Sequence, residues 1–100
     1  MGNSAIDFPW VPTNFTGTDA NIKHGACVLH NITLNGTTTV GDVAVYDGND
    51  NTGTLIGTLV FRSVVQISCQ PITLNYDCEM ATGIFLDATD WVGSLTVTHK

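Results

Sequence analysis

Hydrophobic and polar side chains alternate in short runs along most of the chain, from residue 26 onward. Gly, Asn, Asp and Thr separate the runs. A repeat of two places alternate side chains on opposite faces of an extended strand, so each run predicts a β-strand. The predicted strands are residues 26–35, 42–47, 54–61, 63–69, 72–77, 84–86 and 94–98.

Three finer predictions follow from the same pattern. In the first run His30 shares the face of Ile32 and Leu34, which predicts an inward-facing imidazole. The segment of residues 36–41, which follows that run, begins and ends with glycine, and we therefore predict a turn there. In run 54–61 both faces are apolar, which predicts a strand buried on two sides.

The spacing of the runs indicates the fold class. Strands that recur about every ten residues, with turn residues between them, are typical of a sandwich or a barrel. No helical period separates them, which excludes βαβ crossovers. The sequence therefore predicts one all-β domain, a small antiparallel β-sandwich of either jelly-roll or immunoglobulin-like topology.

The first 23 residues differ from the rest. Pro9 and Pro12 exclude a helix and disfavour a central strand, which predicts an extended N-terminal arm over residues 1–23 and a sandwich domain over residues 24–100. The arm carries several apolar side chains, Ile6, Phe8, Trp10, Val11 and Phe15. Because this arm is too apolar to extend into water, we expect it to dock on its own domain or on a neighbouring subunit.

The charge of the chain limits the kinds of partner that we expect it to bind. The net charge is −6, and Lys23, Arg62 and Lys100 are the fixed cations. Nucleic-acid backbones are bound through Lys and Arg, so direct binding of DNA or RNA is not expected. No apolar run approaches the roughly 20 residues of a membrane helix. Charged residues are only 12% of the chain, which suits a protein packed against other subunits but also an extracellular type of β domain.

Three cysteines are present, Cys27, Cys69 and Cys78, without any C-x-x-C motif. An odd number argues against a scaffold built on disulfides alone. Cys69 and Cys78 are close enough in sequence to pair across a hairpin. Buried, reduced thiols are the favoured interpretation, because cysteine is a common small core residue.

The loop of residues 47–53 has oxygen-bearing side chains at alternate positions, as calcium loops do. An EF-hand requires Gly at loop position six and Glu at position twelve. Here Thr52 and Thr58 occupy those positions. The loop is therefore interpreted as a hairpin connection, in which Asn, Asp and Gly tolerate positive φ, and no metal or other cofactor is predicted.

Other residues that could carry chemistry do not form a convincing catalytic set. His24, His30 and His99 are interpreted as structural. Cys27 and His30 are three residues apart, so in an extended strand they face opposite sides and do not form a nucleophile–base pair unless the segment bends. Glu79, Asp87 and Asp90 are interpreted as solvated turn acids, with Trp91 as the one aromatic near them. Ser63, Ser68 and Ser94 lack the G-x-S-x-G elbow. We therefore predict a protein without enzymatic activity.

Five segments, in this order, resemble small virion proteins of tailed bacteriophages. They are GACVLHNITLN at 25–35, VAVYDG at 43–48, TGTLI at 52–56, TGIFL at 82–86 and SLTVT at 94–98. The resemblance extends from Lys23 to Lys100, about three quarters of the chain. The N-terminal arm departs from it, since the arm is longer and more apolar than the start expected in that group.

The resemblance implies a capsid decoration, or cement, protein that binds the lattice of the major capsid protein and stabilises the head. It implies a homo-oligomer, with a trimer as one possibility, located on the capsid surface of the virion after assembly in the host cytoplasm. In this interpretation Phe8, Trp10, Val11 and Phe15 are the contact residues of the arm. The alternative is a tail or fibre module for attachment to the host surface, in which the loops of residues 47–53 and 87–91 recognise a glycan or a surface protein.

Overall fold

The computed structural model describes residues 10–61, 65–66 and 72–100, with backbone only for residues 65–66. The regular elements in these ranges are all strands, and their pairings are antiparallel. They are β1 (Val11–Phe15), β2 (Ala20–His24), β3 (Cys27–Thr39), β4 (Gly41–Asp47), β5 (Thr54–Phe61), β6 (Val65–Gln66), β7 (Ile72–Met80), β8 (Gly83–Thr89) and β9 (Val92–His99). The predicted all-β antiparallel sandwich is confirmed.

Two sheets make up the sandwich. The first has the order β1-β9-β3-β6, and β7 also pairs with β3. The second has the order β2-β8-β4-β5. Short connections at residues 16–19, 25–26, 40, 81–82 and 90–91 pass from one sheet to the other, whereas β4 and β5 are consecutive strands of the same sheet.

The core lies between the sheets and is formed by the inward-facing half of the alternating pattern. Its buried hydrophobic members are Phe15, Cys27, Leu29, Ile32, Leu34, Val43, Val45, Met80, Ile84, Leu86, Trp91, Leu95 and Val97. Trp91 is 1% exposed, with its ring centroid 6.0 Å from that of Phe15 and 5.5 Å from that of Phe61. The indole nitrogen of Trp91 donates a hydrogen bond to Oγ1 of the buried Thr37, at 3.1 Å.

Several predicted strands agree with the structure, and two predictions are wrong. Run 54–61 coincides with β5, but β5 is an edge strand whose Leu55 and Val60 are about half exposed, not a strand buried on two sides. The predicted turn at 36–41 belongs mostly to β3, because Thr37 is needed inside the sandwich as the acceptor for Trp91. Of the predicted run 63–69, only Val65–Gln66 lies among the described residues.

The predicted arm is wrong over residues 11–23. Val11–Phe15 pairs along β9, and Ala20–His24 pairs along β8, so each is an edge strand of one sheet. Pro12 is tolerated in β1 because an edge strand needs only one side of its backbone for pairing. Residues 1–9, including Phe8, lie outside the described residues.

His30 faces outward rather than inward. The register between β3 and β9 shifts between Leu29 and Asn31, which makes His30 an extra residue in a β-bulge. Leu29 on one side of the bulge and Ile32 on the other are both fully buried, although they are three residues apart. The bulge therefore reverses the period-two pattern and turns the imidazole to the outer surface.

Candidate functional site

A cluster of four side chains lies on the outer surface of the first sheet, and we call Trp10, His30, Asp77 and Lys100 the Trp10 cluster. The indole of Trp10 stacks on the imidazole of His30, with 4.3 Å between centroids and 16° between planes. Nζ of Lys100 lies 4.9 Å from the centroid of the Trp10 ring, a cation–π distance. Nδ1 of His30 contacts Oδ1 of Asp77.

The local backbone explains why these side chains meet. On β3 the bulge turns His30 outward, and on β7 Asp77 adopts a positive φ of 48° opposite it. Trp10 directly precedes β1, which leads away from the cluster along β9. The cluster therefore holds the start of β1 against the sheet. Its four residues come from separate segments of the chain, so no single segment predicts it.

The Trp10 cluster does not supply a nucleophile–base pair with Cys27. Cys27 is buried in the core, 8% exposed, whereas His30 lies on the outer surface. Burial raises the pKa of the Cys27 thiol, which keeps it protonated at neutral pH. The prediction that these two residues face opposite sides is confirmed.

Cys78 lies on β7 with a half-buried thiol, and burial also raises the pKa of this group. Its Sγ lies 3.9 Å from Sδ of Met80. Among the described residues, Cys27 and Cys78 form no disulfide with each other. Cys69 lies outside the described residues, so its predicted alternatives, pairing with Cys78 or a reduced thiol, stay predictions.

Of the other two histidines, His99 is buried and His24 is exposed. His99 is 5% exposed, and its Nε2 lies 3.1 Å from Oγ1 of Thr13 on the neighbouring strand β1. Burial is the main cause that lowers the pKa of His99, with Lys23 adding to it, so the imidazole is neutral at pH 7. His24 ends β2 in an exposed position.

The loop of residues 47–53 is organised by hydrogen bonds within the protein. Oδ1 and Oδ2 of Asp47 accept bonds from the backbone N–H groups of Ala81 and Thr82, both at 2.9 Å, and of Gly83 at 3.3 Å. Oδ1 of Asp50 accepts from the backbone N–H of Thr52 at 2.9 Å. Within the described part of the chain, no group of three or more His, Cys, Asp or Glu side chains is placed to hold a metal ion.

Asp47 makes stability depend on pH. Hydrogen bonds from Thr82 and Ala81 are the main causes that hold the pKa of Asp47 below its ordinary value. A lowered folded-state pKa contributes stability that is present above the unfolded-state pKa, about 3.9, and is lost as pH falls through the folded-state pKa. We expect Asp47→Asn to lower the free energy of unfolding by about 1 kcal/mol at pH 7 after allowance for solvent screening.

The measurement is urea unfolding of wild type and Asp47→Asn at pH 7 and at pH 3. The difference between the two proteins should shrink at the lower pH, since the wild-type carboxyl then approaches its neutral form. Glu79→Gln is the matched control, because it removes the same charge from an exposed position on β7. An equal loss of stability in both variants, or a difference that does not shrink with pH, contradicts the assignment.

The remaining acids do not converge on a cleft with Trp91. Glu79 is exposed on the first sheet, and Asp87 lies on β8 of the second sheet, where its Oδ2 accepts from Nδ2 of Asn51 at 3.4 Å. Asp90 lies in the β8–β9 turn with a φ of 64°. Trp91 is buried in the core, so it lines no surface cleft.

The surface carries shallow clefts that are open to solvent. One, of about 530 Å³, lies at the end of the sandwich near Cys27, Asp47, Glu79 and Lys100. Another, of about 400 Å³, is lined by the loop of residues 47–53 together with Thr54 and Thr82. Ligand sites for small molecules usually enclose most of the ligand, and neither cleft does so.

The residues predicted as arm contacts separate into three groups. Phe8 lies outside the described residues. Phe15 is 2% exposed and packs against Trp91, so it is a core residue with little surface left for contact with a partner. Trp10 is half-buried in its cluster, and Val11 is 49% exposed at the start of β1. Of the described residues in this set, Val11 offers the most accessible apolar surface.

Comparisons with known proteins identified no relative of this chain. No protein-family model, curated protein or solved structure matches the chain. A separate search of the described ranges found no helix of the length and hydropathy needed to cross a membrane. Functional inference therefore depends on the chain's own residues and on the resemblance of its sequence segments.

Proposed function

We propose that this protein is a non-enzymatic structural component of a tailed-phage virion, a decoration protein that binds the major capsid protein lattice and stabilises the head. In this proposal it is located on the capsid surface and acts as a homo-oligomer. Its function is adhesion, by a rigid β-sandwich, without a bond-making reaction.

The placement of the resembling segments carries the proposal. Residues 25–35 form the first part of β3, 43–48 form β4 and the following turn residue, and 82–86 and 94–98 fall on β8 and β9. Segment 52–56 leads into β5. The resembling segments thus coincide with strands of both sheets.

The outer face of the first sheet supports a role in packing against other subunits. Beside the Trp10 cluster, it presents uncharged polar side chains that bond to each other across strands, and we call Asn14, Thr33, Asn35, Thr73, Ser94 and Thr96 the Asn/Thr face. Nδ2 of Asn35 lies 3.0 Å from Oγ1 of Thr96, and Nδ2 of Asn14 lies 2.9 Å from Oγ of Ser94. Such a surface can be covered by a partner without the cost of desolvating charges.

Binding to heads that lack the protein tests the proposal. We expect the purified protein to saturate such heads at a copy number comparable to that of the major capsid protein, and to raise the temperature at which the heads release their DNA. Val11→Glu should weaken binding at least tenfold, since it places a charge on the exposed apolar start of β1. Val40→Glu is the control, because Val40 is 42% exposed and follows β3 near the opposite end of the sheet.

Electron cryomicroscopy of the saturated particle gives the location directly. Absence of the protein from the head lattice contradicts the decoration proposal. Equal binding of Val11→Glu, Val40→Glu and wild type contradicts only the assigned contact at β1.

A tail or fibre module is the second candidate. The open cleft at the loop of residues 47–53 favours it, because Asn49, Asp50 and Thr52 present polar groups there. A handful of copies per particle, located on the tail, would select this function over capsid decoration. The loop of residues 87–91 contributes less than predicted to such a surface, since Trp91 is buried.

A further inference from the structure

We propose that β5 is a self-association edge, at which two copies of this chain pair their β5 strands antiparallel about a two-fold axis and join their second sheets into one. This inference goes beyond the proposed function and does not depend on it. Three observations carry it: the state of each sheet edge, the pattern of residues along β5, and the distribution of charge around it.

Among the described residues, β1, β2 and β7 carry features that prevent pairing with another strand. β1 is five residues long and contains Pro12, which has no N–H to donate. β2 is equally short, and its register shifts between Asn21 and the exposed Lys23. β7 carries two acids, and Asp77 has the positive φ of a bulge. Short length, proline, charge and bulges are the devices by which proteins protect sheet edges.

β5 has fewer of these features. It is eight residues long, contains no charged residue and no proline, and among the described residues it pairs only with β4. Its irregularity is the bulge at Ile56, and the register with β4 is continuous from Gly57 to Phe61. Leu55, Ile56 and Val60 are 54%, 38% and 47% exposed. An edge with unpaired backbone groups and apolar side chains is a template for strand addition.

The pattern along β5 commits the partner to a second copy. Because of the bulge at Ile56, the residues on the outer face of β5 are Leu55, Thr58 and Val60. This is an apolar residue, a threonine and an apolar residue, so a two-fold axis at Thr58 gives an isologous contact. In that arrangement Thr58 lies beside its own copy, and Leu55 of one copy lies beside Val60 of the other.

The charge distribution permits this contact in spite of a net charge of −6. The carboxylates nearest β5 are Asp42 and Asp47 on β4, which are paired with Val60 and Thr54. Across a joined sheet the two β4 strands are three strand spacings apart, about 14 Å. That separation exceeds the Debye length of about 8 Å at physiological ionic strength, so the acids of the two copies are screened from each other.

The outer face of the second sheet extends the apolar surface beside β5. Tyr46 of β4 is paired with Leu55 and with Phe85 of β8, and the two rings lie 6.4 Å apart. Two-fold pairing along β5 therefore extends this row by Val60 of the other copy, which lies beside Leu55. Because stable interfaces bury about 1,200–2,000 Å² and one strand pair covers less, we expect a reversible dimer with a dissociation constant of about 10–100 μM.

Sedimentation equilibrium of the full chain, from about 5 to about 500 μM, tests the proposal. We expect a monomer–dimer equilibrium for wild type. The double variants Leu55→Glu/Val60→Glu and Leu55→Lys/Val60→Lys should each dimerise at least tenfold more weakly, because like charges then face each other across the axis. An equimolar mixture of the two variants should form a heterodimer, since each Glu then faces a Lys.

The matched control is Val11→Glu/Val92→Glu, which adds the same charge at two exposed valines of the first sheet and should dimerise like wild type. Circular dichroism and thermal melting verify that every variant is folded. A wild type that stays monomeric, or forms a trimer, overturns the proposal. So does a Leu55→Glu/Val60→Glu variant that dimerises like wild type, or a variant mixture that does not pair.

Discussion

Replacing Trp91 with alanine is expected to lower the free energy of unfolding by about 4 kcal/mol and the melting temperature by roughly 15–30 °C. The side chain is 1% exposed and packs between the rings of Phe15 and Phe61. Its removal leaves a cavity where β1, β5 and the β8–β9 turn meet the core. It also leaves the buried hydroxyl of Thr37 without its donor.

Urea denaturation of Trp91→Ala and Trp91→Phe separates these two contributions. Trp91→Phe keeps an aromatic ring and loses the N–H, so its cost should be the smaller of the two. A double-mutant cycle with Thr37→Val tests the hydrogen bond itself: each single change leaves one buried partner unpaired, and the double change removes both. Additive losses in the cycle would show that the bond contributes nothing beyond packing.

Replacing Gly41 with alanine should be nearly as damaging, with a loss of about 3 kcal/mol. A β-carbon at this position would lie 2.3 Å from the carbonyl oxygen of Thr89, 2.4 Å from the backbone nitrogen of Trp91 and 2.8 Å from the carbonyl carbon of Asp90. These are backbone atoms of the β8–β9 turn, which cannot move aside as a flexible side chain can. The turn positions Trp91, so the strain extends into the core.

Gly25→Ala is the matched control for Gly41→Ala. Gly25 has a φ of 86° but no atom within 4 Å of its would-be β-carbon. Its substitution costs only the strain of a left-handed backbone, about 1 kcal/mol. Thermal melting of both variants compares the loss of stability from a close backbone contact with the loss from a strained backbone conformation. A Gly41→Ala variant that is no less stable than Gly25→Ala would contradict the packing argument.

Strand positions were largely predictable because the alternating pattern is local. β5 was predicted with its observed bounds, and the predicted strand at 42–47 differs from β4 by one residue. The outward turn of His30 was not predictable, because a β-bulge changes the parity of a strand without changing its hydrophobic composition. The pairing of Val11–Phe15 in the first sheet was also not predicted. Two nearby prolines argue against a strand there, and the burial of Phe15 against Trp91 depends on the tertiary structure.

The Trp10 cluster shows the same limit for a site. Trp10, His30, Asp77 and Lys100 are spread along the chain, and no short motif contains two of them. One signal was available, an aromatic side chain directly before a strand, but its partner depends on the bulge in β3 and on the positive φ of Asp77. The proposed self-association edge differs, because its uncharged, mostly apolar pattern lies within eight consecutive residues.

The amino-acid sequence by itself determined that this chain is an all-β sandwich, because the period-two alternation of apolar side chains is a property of each strand alone. It also determined the low charge and the acidic balance, from which we predict that the chain does not bind nucleic acid directly. The tertiary structure decided which strands are edges, which face each bulged residue takes, and that Phe15 and Trp91 are core residues. These outcomes depend on which strands become neighbours, and that choice is made by packing between segments far apart in sequence.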